Sequence, residues 1–195
     1  YTGYITLGKS LFNVVSGDAT ISGLNLKAAN NMTDPILAKS YVAGTSGSDS
    51  TPSVIKLNID AKSKEITEGG GQTAYSSFGG VIGTLGEGAS VSLDITSVIP
   101  EGKAAVSGEG SRGFFCNTMK AKASLTVNTF TENANFTVTS TSENVGALVG
   151  TMEAGAQLTV VPEFTFSGSV TGAVNAGGLV GNSADGATIT LQNNY

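Results

Sequence analysis

The sequence predicts an all-β chain, a single-stranded right-handed parallel β-helix (β-solenoid) of about six rungs. Three observations predict it. Residues 78–93 (FGGVIGTLGEGASVSL), 145–160 (VGALVGTMEAGAQLTV) and 176–191 (AGGLVGNSADGATITL) align without a gap. Each copy closes in strict apolar/polar alternation, the period of a strand with one buried face. Gly makes up 27 of 195 residues, about twice the usual ~7% share, and clusters where the chain must turn. A repeat of this length carries only short strands, which cannot enclose their own apolar residues. Stacked about 4.8 Å apart, successive copies supply one another's hydrogen bonds and core.

Within each copy the elements follow in order. A small residue and two aliphatics form a short strand, and the next Gly sits at a tight corner. A turn follows, then Ala and the alternating strand: Ala89, Val91, Leu93; Ala156, Leu158, Val160; Ala187, Ile189, Leu191. A second alternating run follows at Asn135–Val138 and Glu163–Phe166. Weaker copies read 111–127 (one extra residue in the turn), 10–22 and 40–57 (a lengthened Ser/Gly turn). The opening residues are then Ser10, Ser40, Gly80, Gly113, Ala147 and Gly178, spaced 30, 40, 33, 34 and 31. One core column is expected to hold Ile21, Ile55, Val91, Leu125, Leu158 and Ile189. The aliphatic pairs are Leu11-Phe12, Tyr41-Val42, Val81-Ile82, Phe114-Phe115, Leu148-Val149 and Leu179-Val180. The corner column reads Asn13, Ala43, Gly83, Cys116, Gly150, Gly181. Only Leu26–Ala29 invites a helical turn. Right-handed crossovers follow from strand twist.

The chain reads as one domain over 1–195, with clear repeats at 78–195 and degenerate ones at 1–77; opening on Tyr1, it is expected to be either a processed product or a fragment of a larger surface protein. Charged residues are 13%, against roughly 25% in ordinary domains. Residues 1–122 carry ten acids and ten bases; the last 73 hold Glu132, Glu143, Glu153, Glu163 and Asp185 and no base, hence the net −5. That balance argues against nucleic acid or anionic lipid as partner. Apolar runs fall short of the ~18 residues of a membrane helix, so no membrane insertion is expected. One Cys forms no intrachain disulfide, and zero His excludes His-based triads and His-ligated metal.

The segments GGVIG (79–83), GALVG (146–150) and GGLVG (177–181) resemble the GLUG motif of large bacterial cell-surface proteins. That motif occurs in adhesins and in non-catalytic regions of some immunoglobulin-A-cleaving surface proteases. The resemblance implies an extracellular location, on a bacterial surface or secreted, and a β-helical stalk or adhesive region. It implies no protease activity, because HExxH requires His.

Three functional readings follow. The first is a non-catalytic adhesin module, a rigid stalk whose faces contact a host or neighbouring-cell protein or glycan. The second is a β-helical polysaccharide lyase or hydrolase, for which Asp60 and Asp94 near Asn58 are the candidate carboxylates. Against it, Asn25, Asn58, Asp94 and Asn128 read as a stacked polar ladder at a corner, and the only Arg, Arg112, lies elsewhere in the rung. The third is a filament subunit that self-associates end to end. The outward columns Ser92, Thr126, Thr159, Thr190 and Ser90, Ser124, Gln157, Thr188 read as a solvated strand face; Lys56 and Gln157 interrupt the lattice that ice binding needs. Calcium at Ser48-Asp49 or Asp185-Gly186 lacks the acidic nonapeptide repeat. Cys116 reads as a small buried thiol. No catalytic, cofactor-binding or metal residue is assigned, and no cofactor is expected.

Overall fold

A computed structural model of the chain describes residues 4–17, 19–29, 32–43, 53–60, 66–68, 72–74, 77–95, 104–130, 136–163, 166 and 168–192. These residues form an all-β structure with parallel sheets and no helix. The alternating segments make the first sheet, in the order Ile5–Leu7, Thr20–Ala28, Ser53–Asp60, Ser90–Ile95, Ser124–Phe130, Gln157–Val160, Thr188–Leu191. The aliphatic-Gly segments make the second: Phe12–Ser16, Ala38–Val42, Ile82–Leu85, Cys116–Met119, Val149–Met152, Val180–Ser183. A third holds Ser169–Gly172, Phe136–Ser140, Ala104–Gly108 and Ser77–Phe78. Every ladder in these three sheets is parallel, and an internal strand pairs with one from an earlier and one from a later part of the chain.

Register follows the period-two pattern. Val91, Leu125, Leu158 and Ile189 are consecutive partners, as are Ser92, Thr126, Thr159 and Thr190. In Ser90–Ile95, Ser124–Phe130 and Gln157–Val160 the apolar set points inward: Val91, Leu125 and Leu158 are at most 1% exposed. Inward side chains from all three sheets join one core. At its centre Phe78, Phe114, Phe115 and Phe130 pack edge to face, with ring centroids 5.2–5.8 Å apart, the arrangement their quadrupoles favour. Burial thins at the last strand, where Ile189 is 40% exposed.

The turn between the second and first sheets is the same device four times. Ala89, Ala123, Ala156 and Ala187 donate N–H to the carbonyls of Gly86, Lys120, Glu153 and Ala184, at 3.0–3.2 Å. The third turn residue has positive φ in each: Gly88 (65°), Lys122 (57°), Gly155 (70°), Gly186 (73°). The second residue, Glu87, Ala121, Ala154 or Asp185, does not. Positive φ at the third position alone defines a type II turn and explains the Gly-Ala signature. Neighbouring turns are also joined, since Gly88, Lys122 and Gly155 donate to Ala121, Ala154 and Asp185 of the next repeat.

Several expected positions are corrected. Ile55 pairs with Leu93, not Val91, whose partner is Ser53; a two-residue slip preserves the inward face, so alternation cannot detect it. In the second copy the pair is Leu37-Ala38, not Tyr41-Val42: Ala38 is opposite Ile82 and Tyr41 opposite Leu85. The copy therefore opens at Ile36, four residues before Ser40, and Ile36 N–H donates to Gly80 O (2.7 Å). In the copy opening at Gly113 the extra residue falls in the aliphatic segment, not the turn. Cys116 stands opposite Ile82 and Val149, so Asn117 takes the corner position of Gly83 and Gly150. The register makes the corner column Asn13, Lys39, Gly83, Asn117, Gly150 and Gly181. Phe136–Ser140 pairs with Ser169–Gly172, not with Glu163–Phe166. Leu26–Ala28 continues a strand instead of forming a helical turn. The long spacing before Gly80 accommodates an antiparallel pair, Ile66–Glu68 with Gln72–Ala74.

Two substitution sets test this geometry. Lys122→Gly removes a side chain from the left-handed region, where an L-residue is disfavoured by roughly 1–2 kcal/mol. It is expected to raise the melting temperature by about 2–8 °C. A Cβ on Gly150 would lie 2.5 Å from Arg112 N and 2.6 Å from Asn117 O, both backbone atoms. Gly150→Val is therefore expected to cost at least ~3 kcal/mol, while outward-facing Thr159→Ala stays within ~0.5 kcal/mol. Equal melting temperatures for the latter two would contradict the corner assignment.

Candidate functional site

The strand register does not make Asp60 and Asp94 neighbours. Asp94 is opposite Lys56 on one side and Thr129 on the other, and Asp60 is opposite Lys27. Asp60 thus lies four residues along its strand from Asp94's partner, about 13 Å at ~3.3 Å per residue. Glycosidase carboxylates work at roughly 5–9.5 Å.

The expected polar ladder forms only in part. Asn25 and Asn58 are partners, but Asn128 is the residue skipped where the register shifts between Leu93 and Asp94. The bulge turns it toward the preceding strand, where its Nδ2 donates to Ser92 Oγ. The two outward Ser/Thr columns form in the expected register. Asp185-Gly186 is the type II turn described above, and its Asp185 carbonyl accepts from Gly155 N–H; Ser48-Asp49 lies outside the described residues. Among the described residues no group of three or more Cys, Asp and Glu is placed to hold a metal ion.

A different corner carries a connected polar cluster. Ser111 donates both N–H (3.1 Å) and Oγ–H (2.8 Å) to Glu143 Oε2. A serine hydroxyl has one proton, so Thr151 Oγ1 is the donor in its 2.9 Å contact with Ser111 Oγ. Asn144 Nδ2 donates to Thr151 Oγ1 (3.0 Å), and Asn175 Nδ2 donates to Asn144 Oδ1 (2.6 Å). Every proton in this line points toward Glu143, a charge-assisted terminus. Beside it Ser140 Oγ donates to Gly110 O (2.6 Å). The line runs across successive repeats and pins their corners together. It offers no nucleophile, because Ser111 is only 7% exposed and its hydroxyl is held by two partners.

Arg112 flanks the line. Burial pushes its guanidinium below the ordinary value, against the pull of Asp34, Glu143 and Glu109. Nη1 donates to Ser111 O (3.3 Å), and buried Nε has no hydrogen-bond partner among the described residues. The Nε/Nη2 edge that would grip an anion lies against Gly108, where a Cβ would come within 2.4–2.8 Å of those nitrogens. Packing, not ligand space, occupies that fork.

Asn117 shows how a corner tolerates a larger residue than Gly. Its Oδ1 accepts from Gly113 N–H (3.1 Å) and its Nδ2 donates to Gly79 O (2.8 Å). Both ends of the buried amide are satisfied. Cys116 is buried, and desolvation pushes its thiol up to about 12. It lies in the aliphatic column, where Sγ contacts Thr118 O at 3.3 Å.

Sequence reasoning missed Ser111, Glu143, Asn144, Thr151 and Asn175. A signal existed: Asn144 and Asn175 each stand three residues before the opening residue of their repeat, Ala147 and Gly178. Compared with known proteins, the chain matches no family model, and no curated protein or solved structure is significantly similar to it.

Two outcomes are expected. Thr151→Val takes the acceptor from Asn144 Nδ2 and the donor from Ser111 Oγ, which keeps its bond to Glu143, and should cost about 1–3 kcal/mol in denaturant titration, unlike Thr159→Ala. Cys116 should resist thiol reagents at pH 8 until the chain unfolds. The buried thiol is raised, so its neutral form favours the fold. That contribution is complete below the unfolded value, near ~8.5, and is lost as pH rises toward about 12. Melting temperatures of the native chain and Cys116→Ala should therefore converge or cross across this window. Rapid labelling of the folded chain would contradict the buried placement.

Proposed function

We propose that the chain is a non-catalytic module of a bacterial cell-surface protein. In this reading it is a right-handed parallel β-helix of about six rungs that serves as a rigid stalk. Its lateral faces present hydroxyl columns to a protein or glycan on a host or neighbouring cell. The observation that carries the reading is the in-register stacking of Ser92, Thr126, Thr159 and Thr190 beside Ser90, Ser124, Gln157 and Thr188 on one parallel sheet. The eight positions of these columns carry no charge, and the strands Ser124–Phe130 and Gln157–Val160 between them are laddered on both sides, which suits a spacer that must resist bending and proteolysis. Stiffness follows because bending would stretch interstrand hydrogen bonds in three sheets together. The GGLVG-type segments support an extracellular setting. The separation of Asp60 from Asp94 gives the glycan-cleaving alternative no geometric support.

Beads coated with the chain provide the test. Saturable retention on cell layers or glycan arrays, competed by soluble chain, is the expected outcome. Absence of retention, together with release of reducing ends from acidic polysaccharides, would replace the adhesin reading with an enzymatic one.

A further inference from the structure

We draw no further inference here: the strongest candidate, the thinly covered core face of the last repeat around Val174 and Ile189 beside the edge strands Val180–Ser183 and Thr188–Leu191, is an unpartnered apolar face, and nothing in the structure shows what covers it.

Discussion

The parallel ladder between successive repeats is the interaction on which the rest depends. A strand such as Gln157–Val160 has four residues, and its partners lie in Ser124–Phe130 and Thr188–Leu191. Neither its backbone groups nor its apolar face can be satisfied within its own repeat. Stability is therefore a nearest-neighbour property, each repeat contributing through the two it touches. Side chains follow: once Leu125 is above Val91 and below Leu158, apolar columns form on the inside and hydroxyl columns on the outside without further specification.

Corners decide whether the ladder can continue. Close approach of neighbouring backbones leaves no room for a Cβ at Gly150, and the sequence answers with Gly or with a self-satisfying amide, as at Asn117. The type II turns repeat with the same hydrogen bond, and only Lys122 departs from glycine at the positive-φ position. A third corner uses side chains instead: Asn175, Asn144, Thr151 and Ser111 pass hydrogen bonds to Glu143 across repeats. Polar groups are thus spent on alignment between repeats.

The all-β class, the inward alternation from Ala89 to Val160 and the outward Ser/Thr columns were legible because the last repeats align without gaps. Register in the early repeats was not. A strand carries phase information but no absolute position, so Ile55 could slip by two residues with no change in pattern. In the second copy Leu37-Ala38 and Tyr41-Val42 both read as aliphatic pairs, and backbone pairing chose the earlier one. The extra residue near Cys116 could stand in the turn or before the corner; pairing of Cys116 with Ile82 and Val149 places it before the corner. The Glu143 line was hidden because it joins residues from three repeats, and only the recurrence of Asn144 and Asn175 hinted at it.

The most direct test of in-register parallel stacking is a pair of spin-label distances across the first sheet. Labels at Ser90 and Thr188 span three strand steps, as do labels at Ser92 and Thr190; buried Cys116 should not compete for label. Three steps of ~4.8 Å place both backbone separations near 14 Å. The stacking account predicts that the two pairs give the same distance within label uncertainty. Unequal distances, or separations beyond about 25 Å, would show that these strands do not stack in parallel and in register.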